Sequence, residues 1–374
     1  MKRKKLVLFY DYLINEHFGK DVFLMPYYLG KQLGCDVSIV YLQSEVKLPE
    51  SVRGVNLIPI GGNSGKKRKI FLYYKYVMIH ARSIDYMMRF HVKFHTQLLV
   101  ILYKILNPHG KAYVKSDVDP VAIPQKHKMG MVSKWLAVAF NKKVDLVSCE
   151  TTMAYQRMRQ SDSPFYNYGD KLMMVPNGFD EELINQLGIH VKSFDEKENV
   201  MLTIGRLGTY QKNTSMLLRA LEKVNMKDWK CYLIGTVESS FLIEIEHFYA
   251  NNPDKREQVI FTGPIPDKRE LWEFYNRAKL FLLTSNFEGS PLVLSEAKRF
   301  YNYILTTEVG AASDITGQNE YGYLLNLNDD ETLSVWIQNI VDGKYNIDVY
   351  QHFNAGTLSW EGCVRRLIAS KQFD

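Results

Sequence analysis

Short apolar runs alternate with longer amphipathic stretches along most of this chain. The apolar runs predict buried strands, and stretches with a period near 3.6 residues predict helices packed beside them. The predicted strands are 6–10, 37–42, 112–115, 146–149, 200–204, 230–234, 259–261, 280–283 and 303–306. The predicted helices are 21–33, 213–224, 238–250, 268–278 and 292–300. This alternation is typical of doubly wound parallel sheets in α/β proteins.

The pattern begins again after Pro176, which indicates two such sheets in series. A length of 374 residues also exceeds what one hydrophobic core usually organises. We therefore predict a first Rossmann-like domain over 1–181 and a second over 182–355, with the boundary in the polar stretch 180–199. The final stretch, 356–374, is amphipathic.

Composition narrows the class of protein. A hydrophobic content of 46% and a charged content of 24% are ordinary for a soluble globular protein. The four cysteines form no C-x-x-C pair and no zinc spacing, so we expect reduced thiols in a cytoplasmic protein. His91 and His95 are four positions apart but lack H-E-x-x-H chemistry, and we expect no metal site. The sequence contains no run of 18 apolar residues, so we predict no membrane span.

Positive charge is concentrated in one segment, 66–115, which holds eleven Lys or Arg residues against one acidic residue, Asp85. The rest of the chain holds 36 basic and 40 acidic residues, so the net charge of +6 comes from this segment. Aromatic residues are interleaved with the basic ones. The pattern suits an anionic membrane surface or nucleic acid, and its plainest alternative is a solvated helical face over an aromatic core. Of the two partners we favour the membrane and expect no nucleic acid.

The segment 284–297 carries the most informative chemistry. A buried strand ends before it, and its loop contains Glu288, Gly289 and Pro291. A helix then opens near Leu292 and carries Glu296. Open α/β sheets bind ligands at the carboxyl ends of their strands, and N–H groups at a helix start attract phosphate. Carboxylates there accept hydrogen bonds from sugar hydroxyls, so the segment predicts a nucleotide-sugar site.

A second strand–turn–helix, 203–212, places Gly205, Arg206 and Lys212 at a carboxyl sheet edge. It matches neither the P-loop nor the G-x-G-x-x-G pattern. An arginine fork and a lysine charge would suit a diphosphate whose negative charge grows as its bond breaks. The alternative is a turn with surface charges. Two further strand ends predict glycine turns that would cluster beside the Glu288 loop, and their residues are Gly235, Thr262 and Gly263.

The first domain offers weaker signals. Gly19 lies in a loop between the first strand and the first helix, where a phosphate would bind. Asp117 and Asp119 follow the strand at 112–115 and would either cap a turn or face a substrate.

Together these segments resemble the family 4 retaining glycosyltransferases of the GT-B fold, also described as glycosyl transferases group 1. Glu288 and Glu296 match the family's paired-glutamate motif, and Gly205-Arg206 with Lys212 resembles its G-R-x-x-x-x-K segment. The turn 175–180 resembles its P-N-G motif. The order and spacing agree over about 171–325.

The resemblance implies two Rossmann-like domains that face a cleft, with a helix from 356–374 crossing back to the first domain. Arg206 and Lys212 would bind the donor diphosphate, Glu288 would meet the hydroxyls of the transferred sugar, and Glu296 would accept from the ribose. The backbone of a short stretch would line sugar and phosphate, namely Gly289, Ser290, Pro291, Leu292 and Val293. Gly19 would let the first domain approach the donor, and no metal would be needed.

Some positions depart from the family's pattern. The stretch 300–305 lacks the usual glycine and proline, Gly310 lacks a following glycine, and Asp314 stands where the family has glutamate. The family often carries a histidine at a strand end of the first domain, and the local candidates here are Lys115, Asp117 and Asp119. We take Asp117 as the catalytic candidate at that position.

The resemblance therefore implies a retaining, metal-independent hexosyltransferase that moves a sugar from a UDP- or GDP-sugar to an acceptor hydroxyl. Its expected role is cell-surface polysaccharide or glycolipid assembly, with a lipid-linked or glycan acceptor at the inner membrane face. The alternative is a nucleotide-sugar-binding protein without transferase activity. A nicotinamide-dependent oxidoreductase is disfavoured, because no strand is followed by G-x-G-x-x-G.

Overall fold

Two largely parallel β-sheets organise this chain in a computed structural model that describes residues 3–43, 47–61, 66–124 and 129–370. The side chains of 66–70 lie outside the described part. The chain divides into two compact units, Met1–Asp180 with Gly356–Asp374, and Glu181–Ala355. The predicted α/β class, with two doubly wound parallel-sheet domains, is confirmed.

The sheet of the first unit contains eight described strands in the order β3-β4-β2-β1-β5-β6-β7-β8. They are β1 (Lys5–Tyr10), β2 (Asp36–Leu42), β3 (Ser51–Val52), β4 (Val55–Ile60), β5 (Tyr86–Phe90), β6 (Lys111–Lys115), β7 (Leu146–Cys149) and β8 (Leu172–Met174). Neighbouring strands are parallel except for β3 with β4. Its helices are α1 (Asp21–Leu33), α2 (Lys66–His80), α3 (Phe94–Leu106), α4 (Met131–Lys143) and α5 (Thr152–Gln160). The strand order reverses direction between β1 and β5, so the loops after these strands lie side by side at one edge.

The second unit repeats this arrangement with six described strands in the order β11-β10-β9-β12-β13-β14. They are β9 (Glu198–Ile204), β10 (Lys230–Ile234), β11 (Val259–Gly263), β12 (Ala278–Leu283), β13 (Tyr303–Thr307) and β14 (Gly322–Leu325). Its helices are α6 (Glu181–Gln186), α7 (Thr214–Glu222), α8 (Leu242–Asn251), α9 (Lys268–Arg277), α10 (Leu292–Arg299), α11 (Ala312–Thr316) and α12 (Asp330–Val341). Here the strand order reverses between β9 and β12. Among the described residues, no helix is both long and apolar enough to cross a membrane.

All the predicted strands and helices are present, with ends shifted by a few residues. The clearest omission from the prediction is β5, which is buried at every position and therefore shows no alternation. Arg89 interrupts its apolar run, yet the Arg89 side chain is buried. Its guanidinium donates to the Phe9 carbonyl at 2.9 Å and to the Asp11 carboxylate at 3.1 Å. These partners allow a charged residue to occupy a central strand.

The last helix, α13 (Trp360–Ala369), packs on α1 and completes the core of the first unit. The turn at 175–180 receives the returning chain through two backbone bonds. The Phe179 N–H donates to the Leu358 carbonyl at 2.8 Å, and the Trp360 N–H donates to the Phe179 carbonyl at 3.0 Å. Asp180 then accepts from the Tyr28 hydroxyl and the Arg53 guanidinium, both at 2.5 Å. The P-N-G turn thus anchors α13.

We predict that Gly178→Ala destabilises the first unit by about 1–3 kcal/mol, as expected for overpacking. A Cβ at this position would lie 2.6 Å from the backbone nitrogen and Cα of Trp360, which cannot rotate away. Urea unfolding followed by circular dichroism measures the loss. Gly130→Ala is the control, because a Cβ there meets no atom within 4 Å. Equal midpoints for wild type and Gly178→Ala would show that the turn does not anchor α13.

Candidate active site

The reversal between β9 and β12 brings two loops together at the carboxyl edge of the second sheet. One loop, 205–213, follows β9, and the other, 284–291, follows β12. The two strands are parallel neighbours, with Met201 opposite Leu280. Loops that leave adjacent parallel strands at a reversal form the crevice in which α/β sheets bind ligands.

Side chains and backbone tie these two loops to each other. The Thr284 hydroxyl reaches the carbonyls of Lys212 at 3.1 Å and Asn213 at 3.0 Å. The Asn286 N–H donates to the Gln211 carbonyl at 2.8 Å, and its side-chain amide donates to the Tyr210 carbonyl at 2.7 Å. The crevice therefore has a backbone fixed on both sides.

Two positions beside these loops require glycine, because the loop backbone lies too close to leave room for a side chain. A Cβ on Gly235, which follows β10, would lie 1.8 Å from the Gly205 carbonyl oxygen. A Cβ on Gly310 would lie 1.9 Å from the Gly289 carbonyl oxygen, and Gly310 has a left-handed φ of 49°. A larger residue at either position would push a site loop out of place.

Glu288 is the centre of charge contacts in the crevice. Its carboxylate lies 2.5 Å from the Lys212 ammonium, and it also accepts from the Ser285 hydroxyl at 2.8 Å and the Gln211 amide at 3.2 Å. The Lys212 and Glu288 side chains are 16% and 9% exposed. A pair with so little solvent exposure interacts more strongly than a surface salt bridge.

Arg206 joins this group through Gln211. The Gln211 side-chain oxygen accepts from the Arg206 guanidinium at 2.8 Å, while its amide donates to Glu288. The Arg206 side chain is exposed, so its planar fork is available to a ligand. The sequence prediction missed Gln211, because a glutamine beside a lysine carries no signal until the two loops are known to meet.

Glu296 has a different set of partners. Its carboxylate is on α10, is 13% exposed, and accepts from the indole of Trp272 at 3.1 Å and the hydroxyl of Tyr275 at 3.0 Å. Lys268 forms an ion pair with it. All three donors lie on α9. Burial, followed by the nearby Glu296 charge, raises the pKa of Tyr275 well above its usual value. Glu296 is thus held in a fixed orientation by the neighbouring helix.

The other predicted donor residues of the second unit follow β12, open α10, or lie at the ends of β10 and β11. Gly289, Ser290 and Pro291 complete the loop, and Leu292 and Val293 open α10, in which the Leu294 N–H donates to the Pro291 carbonyl at 3.1 Å. Pro291 has no N–H, so it can shape the loop but cannot bind an anion. Gly235, Thr262 and Gly263 follow β10 or end β11, on the other side of β9.

In the first unit, the structure separates the three local candidates for a reaction-centre residue. Lys115 is fully buried and paired with the carboxylates of Asp21 and Glu150. Asp119 accepts from the Val121 N–H at 2.9 Å and caps a short turn. Asp117 is exposed. The position of Asp117 is therefore compatible with substrate contact, whereas Lys115 and Asp119 serve the fold.

Two further positions in the first unit follow strands at the reversal between β1 and β5. A Cβ added to Gly19 would have no protein atom within 4 Å. His91, which the prediction missed as a site residue, directly follows β5 with a left-handed φ of 58°. Its Nδ1 lies 3.2 Å from the Asp117 carbonyl, and burial lowers its pKa. Recognising β5 in the sequence would have placed a histidine at a strand end.

A family of known proteins matches most of the second unit. Residues 188–354 match the protein family described as Glycosyl transferases group 1. The matched range is less than half of the chain. It includes the four residues singled out for donor chemistry, namely Arg206, Lys212, Glu288 and Glu296. Gly19, His91 and Asp117 lie outside the matched range.

Two curated relatives match the chain over part of their length. Over 109 residues it is 32% identical to the amylovoran biosynthesis glycosyltransferase AmsD of Erwinia amylovora, covering 29% of this chain and 28% of that protein. Over 181 residues it is 30% identical to the GalNAc-alpha-(1->4)-GalNAc-alpha-(1->3)-diNAcBac-PP-undecaprenol alpha-1,4-N-acetyl-D-galactosaminyltransferase of Campylobacter jejuni, covering 46% and 45%. The matched segments therefore span less than half of either relative.

The whole chain matches a solved glycosyltransferase in fold. The structure of a glycosyltransferase from Rickettsia africae superposes with a TM-score of 0.71 at 14% identity, covering 100% of this chain and 99% of that one. At this identity the likeness shows the fold alone, which is two parallel-sheet units of the GT-B type.

Within residues 3–43, 47–61, 66–124 and 129–370, no group of three or more His, Cys, Asp or Glu side chains is placed to hold a metal ion. The expectation of metal-independent chemistry stays a prediction.

We predict that Glu296→Ala lowers the free energy of unfolding by about 1–3 kcal/mol, because two buried donors lose their hydrogen bonds to this carboxylate. The Tyr275 hydroxyl and Trp272 indole are both buried and would lose this partner. Glu296→Gln keeps a carbonyl oxygen and should lose less. Denaturant unfolding measures both, with Glu270→Ala on the exposed side of α9 as control. Unchanged stability of Glu296→Ala would mean that this network does not support the fold.

Proposed function

We propose that this protein is a retaining, family 4 glycosyltransferase that moves a sugar from a nucleoside-diphosphate sugar to an acceptor hydroxyl. The observation that carries the proposal is the Lys212–Glu288 ion pair, held between two loops at the strand reversal and extended to Arg206 by Gln211. Two cations and a carboxylate at this edge of the sheet would suit a ligand that is part phosphate and part polyol.

Arg206 and Lys212 would bind the diphosphate of the donor. The Lys212 ammonium has three N–H donors and uses one on Glu288, which leaves others for a phosphate oxygen. As the bond to the sugar breaks, negative charge grows on the departing diphosphate. Cations already fixed at that position stabilise the transition state more than the ground state.

Glu288 would orient the transferred sugar. A carboxylate offers about four lone-pair sites, and the three contacts with Lys212, Ser285 and Gln211 use three of them. The remaining site is available to one sugar hydroxyl. Because the three protein contacts fix both oxygens, that hydroxyl would be bound in one orientation, which is what positional selectivity requires.

Glu296 would accept from the nucleotide ribose. Trp272 and Tyr275 hold the carboxylate from the buried side, whereas Lys268 is 36% exposed and able to move. A ribose hydroxyl would take the place of the Lys268 ammonium. Retention at the anomeric carbon is supported by the family 4 resemblance of the two glutamates and of the Arg206–Lys212 segment.

The first unit would contribute the acceptor side of the reaction. His91 occupies a strand end of the kind at which the resembling family often carries a histidine, and Asp117 follows the adjacent strand. One relative is named for amylovoran biosynthesis and the other for a PP-undecaprenol glycan. These names support an acceptor in polysaccharide or lipid-linked glycan assembly. We propose that this chain uses an acceptor of the same class.

We predict that Lys212→Ala and Glu288→Ala each lower kcat/KM by at least about 100-fold, the size expected when a transition-state contact is lost. The assay incubates UDP- and GDP-sugars with a lipid-linked acceptor and follows product by mass spectrometry. Anomeric configuration is read by NMR. Lys223→Ala is the matched control, since Lys223 pairs with Asp330 and Glu331 outside the crevice. Turnover close to wild type in both crevice variants would refute the site.

We also predict that transfer continues at an unchanged rate after treatment with EDTA, because fixed cations, rather than a metal ion, would neutralise the diphosphate. The measurement compares initial rates with and without chelator, followed by addition of Mg²⁺ or Mn²⁺. A rate that falls with EDTA and returns with either ion would contradict the role given to Arg206 and Lys212.

A further inference from the structure

The basic segment 66–115 presents less charge at the surface than its composition predicts. Arg89, Lys104 and Lys115 are buried and paired with carboxylates. The side chains of 66–70 lie outside the described residues. A stronger surface feature lies on the next helix along the chain, α4.

Helix α4 carries an apolar stripe that faces solvent. Met131, Trp135 and Val138 are 87%, 70% and 38% exposed, and they are spaced at i, i+4 and i+7. This spacing puts them on one side of the helix. Lys142 continues the same stripe one turn further, at i+11. The opposite side of α4 packs into the first unit through Leu136 and Phe140.

Helix α3, which packs beside α4, also carries exposed apolar side chains. The two helices pack against each other, and Phe94 and Ile105 of α3 are 52% and 61% exposed. A cavity of about 240 Å³ lies near the amino-terminal ends of the two helices, and its lining includes Phe94, Gln97, Ser133 and Leu136. Most soluble proteins scatter exposed apolar residues singly, so a helix stripe next to a second apolar helix indicates an interaction surface.

Positive charge lies at the carboxyl end of both helices. A cavity of about 490 Å³ there is lined by Lys104, Lys111, Lys142, Lys143 and Lys171, together with Asp145 and Asp170. Lys104 is held by Asp145 and the Gly110 carbonyl, and Lys171 by the carbonyls of Asn141 and Val144. The side chains of Lys142 and Lys143 are exposed.

We propose that the outer face of α3 and α4 docks on an anionic lipid bilayer. Met131, Trp135 and Val138 would enter the boundary between headgroups and acyl chains, and Lys142 and Lys143 would meet lipid phosphates. A helix with an apolar stripe, a tryptophan and flanking lysines has the chemistry of an interfacial helix. The charge favours an anionic surface over a second copy, since two copies of this face would bring like charges together.

Vesicle binding is measured without donor or acceptor, so its result does not depend on whether the protein transfers a sugar. The first experiment follows tryptophan emission of the full chain at low salt as vesicles of phosphatidylglycerol and phosphatidylcholine are added. Trp135 is 70% exposed, whereas Trp336 is half-buried and Trp229, Trp272 and Trp360 are each 5% exposed or less. We expect a blue shift that is absent with pure phosphatidylcholine and absent in Trp135→Phe. No shift with anionic vesicles would overturn the proposal.

The second experiment measures co-sedimentation with the same vesicles. We expect Trp135→Ser with Val138→Ser, and separately Lys142→Glu with Lys143→Glu, to weaken binding by about 10-fold or more, because apolar burial and charge attraction both contribute. Leu242→Ser with Ile243→Ser is the matched control, since these α8 residues are 53% and 67% exposed. Binding should remain as in wild type for the control.

Two results would contradict the docking surface. One is equal vesicle binding by wild type and both α4 variants. The other is self-association of the protein, seen by light scattering without vesicles and abolished by Trp135→Ser, which would make a second copy the occupant. All these side chains are exposed, so the variants should keep the wild-type circular dichroism spectrum.

Discussion

The Lys212–Glu288 ion pair is the interaction on which the candidate active site depends. It joins two loops that are far apart in sequence and adjacent only because the strand order reverses between β9 and β12. Removing two charges from water is costly, and good geometry with additional hydrogen bonds is needed to offset that cost. Ser285 and Gln211 supply these bonds to Glu288. The topology thus provides proximity, and the hydrogen bonds make the buried pair tolerable.

The two glutamates of the motif illustrate how position changes the role of one side chain. Glu288 is on a loop and contacts the polar side chains of Lys212, Ser285 and Gln211, whereas Glu296 is on α10 and contacts two buried aromatic donors of α9. The first is therefore suited to the reacting part of a ligand. The second is suited to a part that must be held in place. A spacing of eight residues across a loop and a helix start produces both environments.

Part of the fold and part of the candidate site could be predicted from the sequence. Period and composition predicted the strands, the two domains and the loops that carry Lys212 and Glu288, because local patterns determine these features. Gln211 and the α9 donors to Glu296 could not be found, because their roles arise from long-range packing. His91 was missed since β5 is buried on both faces and interrupted by Arg89. Lys115 looked available in the sequence, but Asp21 and Glu150 enclose it.

A double-mutant cycle on transfer activity tests the central claim most directly. The cycle combines Lys212→Met and Glu288→Gln and compares log kcat/KM of wild type, both single variants and the double variant. If the ion pair acts as one unit, the double variant loses little more than either single variant, because each single change already disrupts the pair. Losses that add across the two positions would contradict the account, since Lys212 and Glu288 would then act independently.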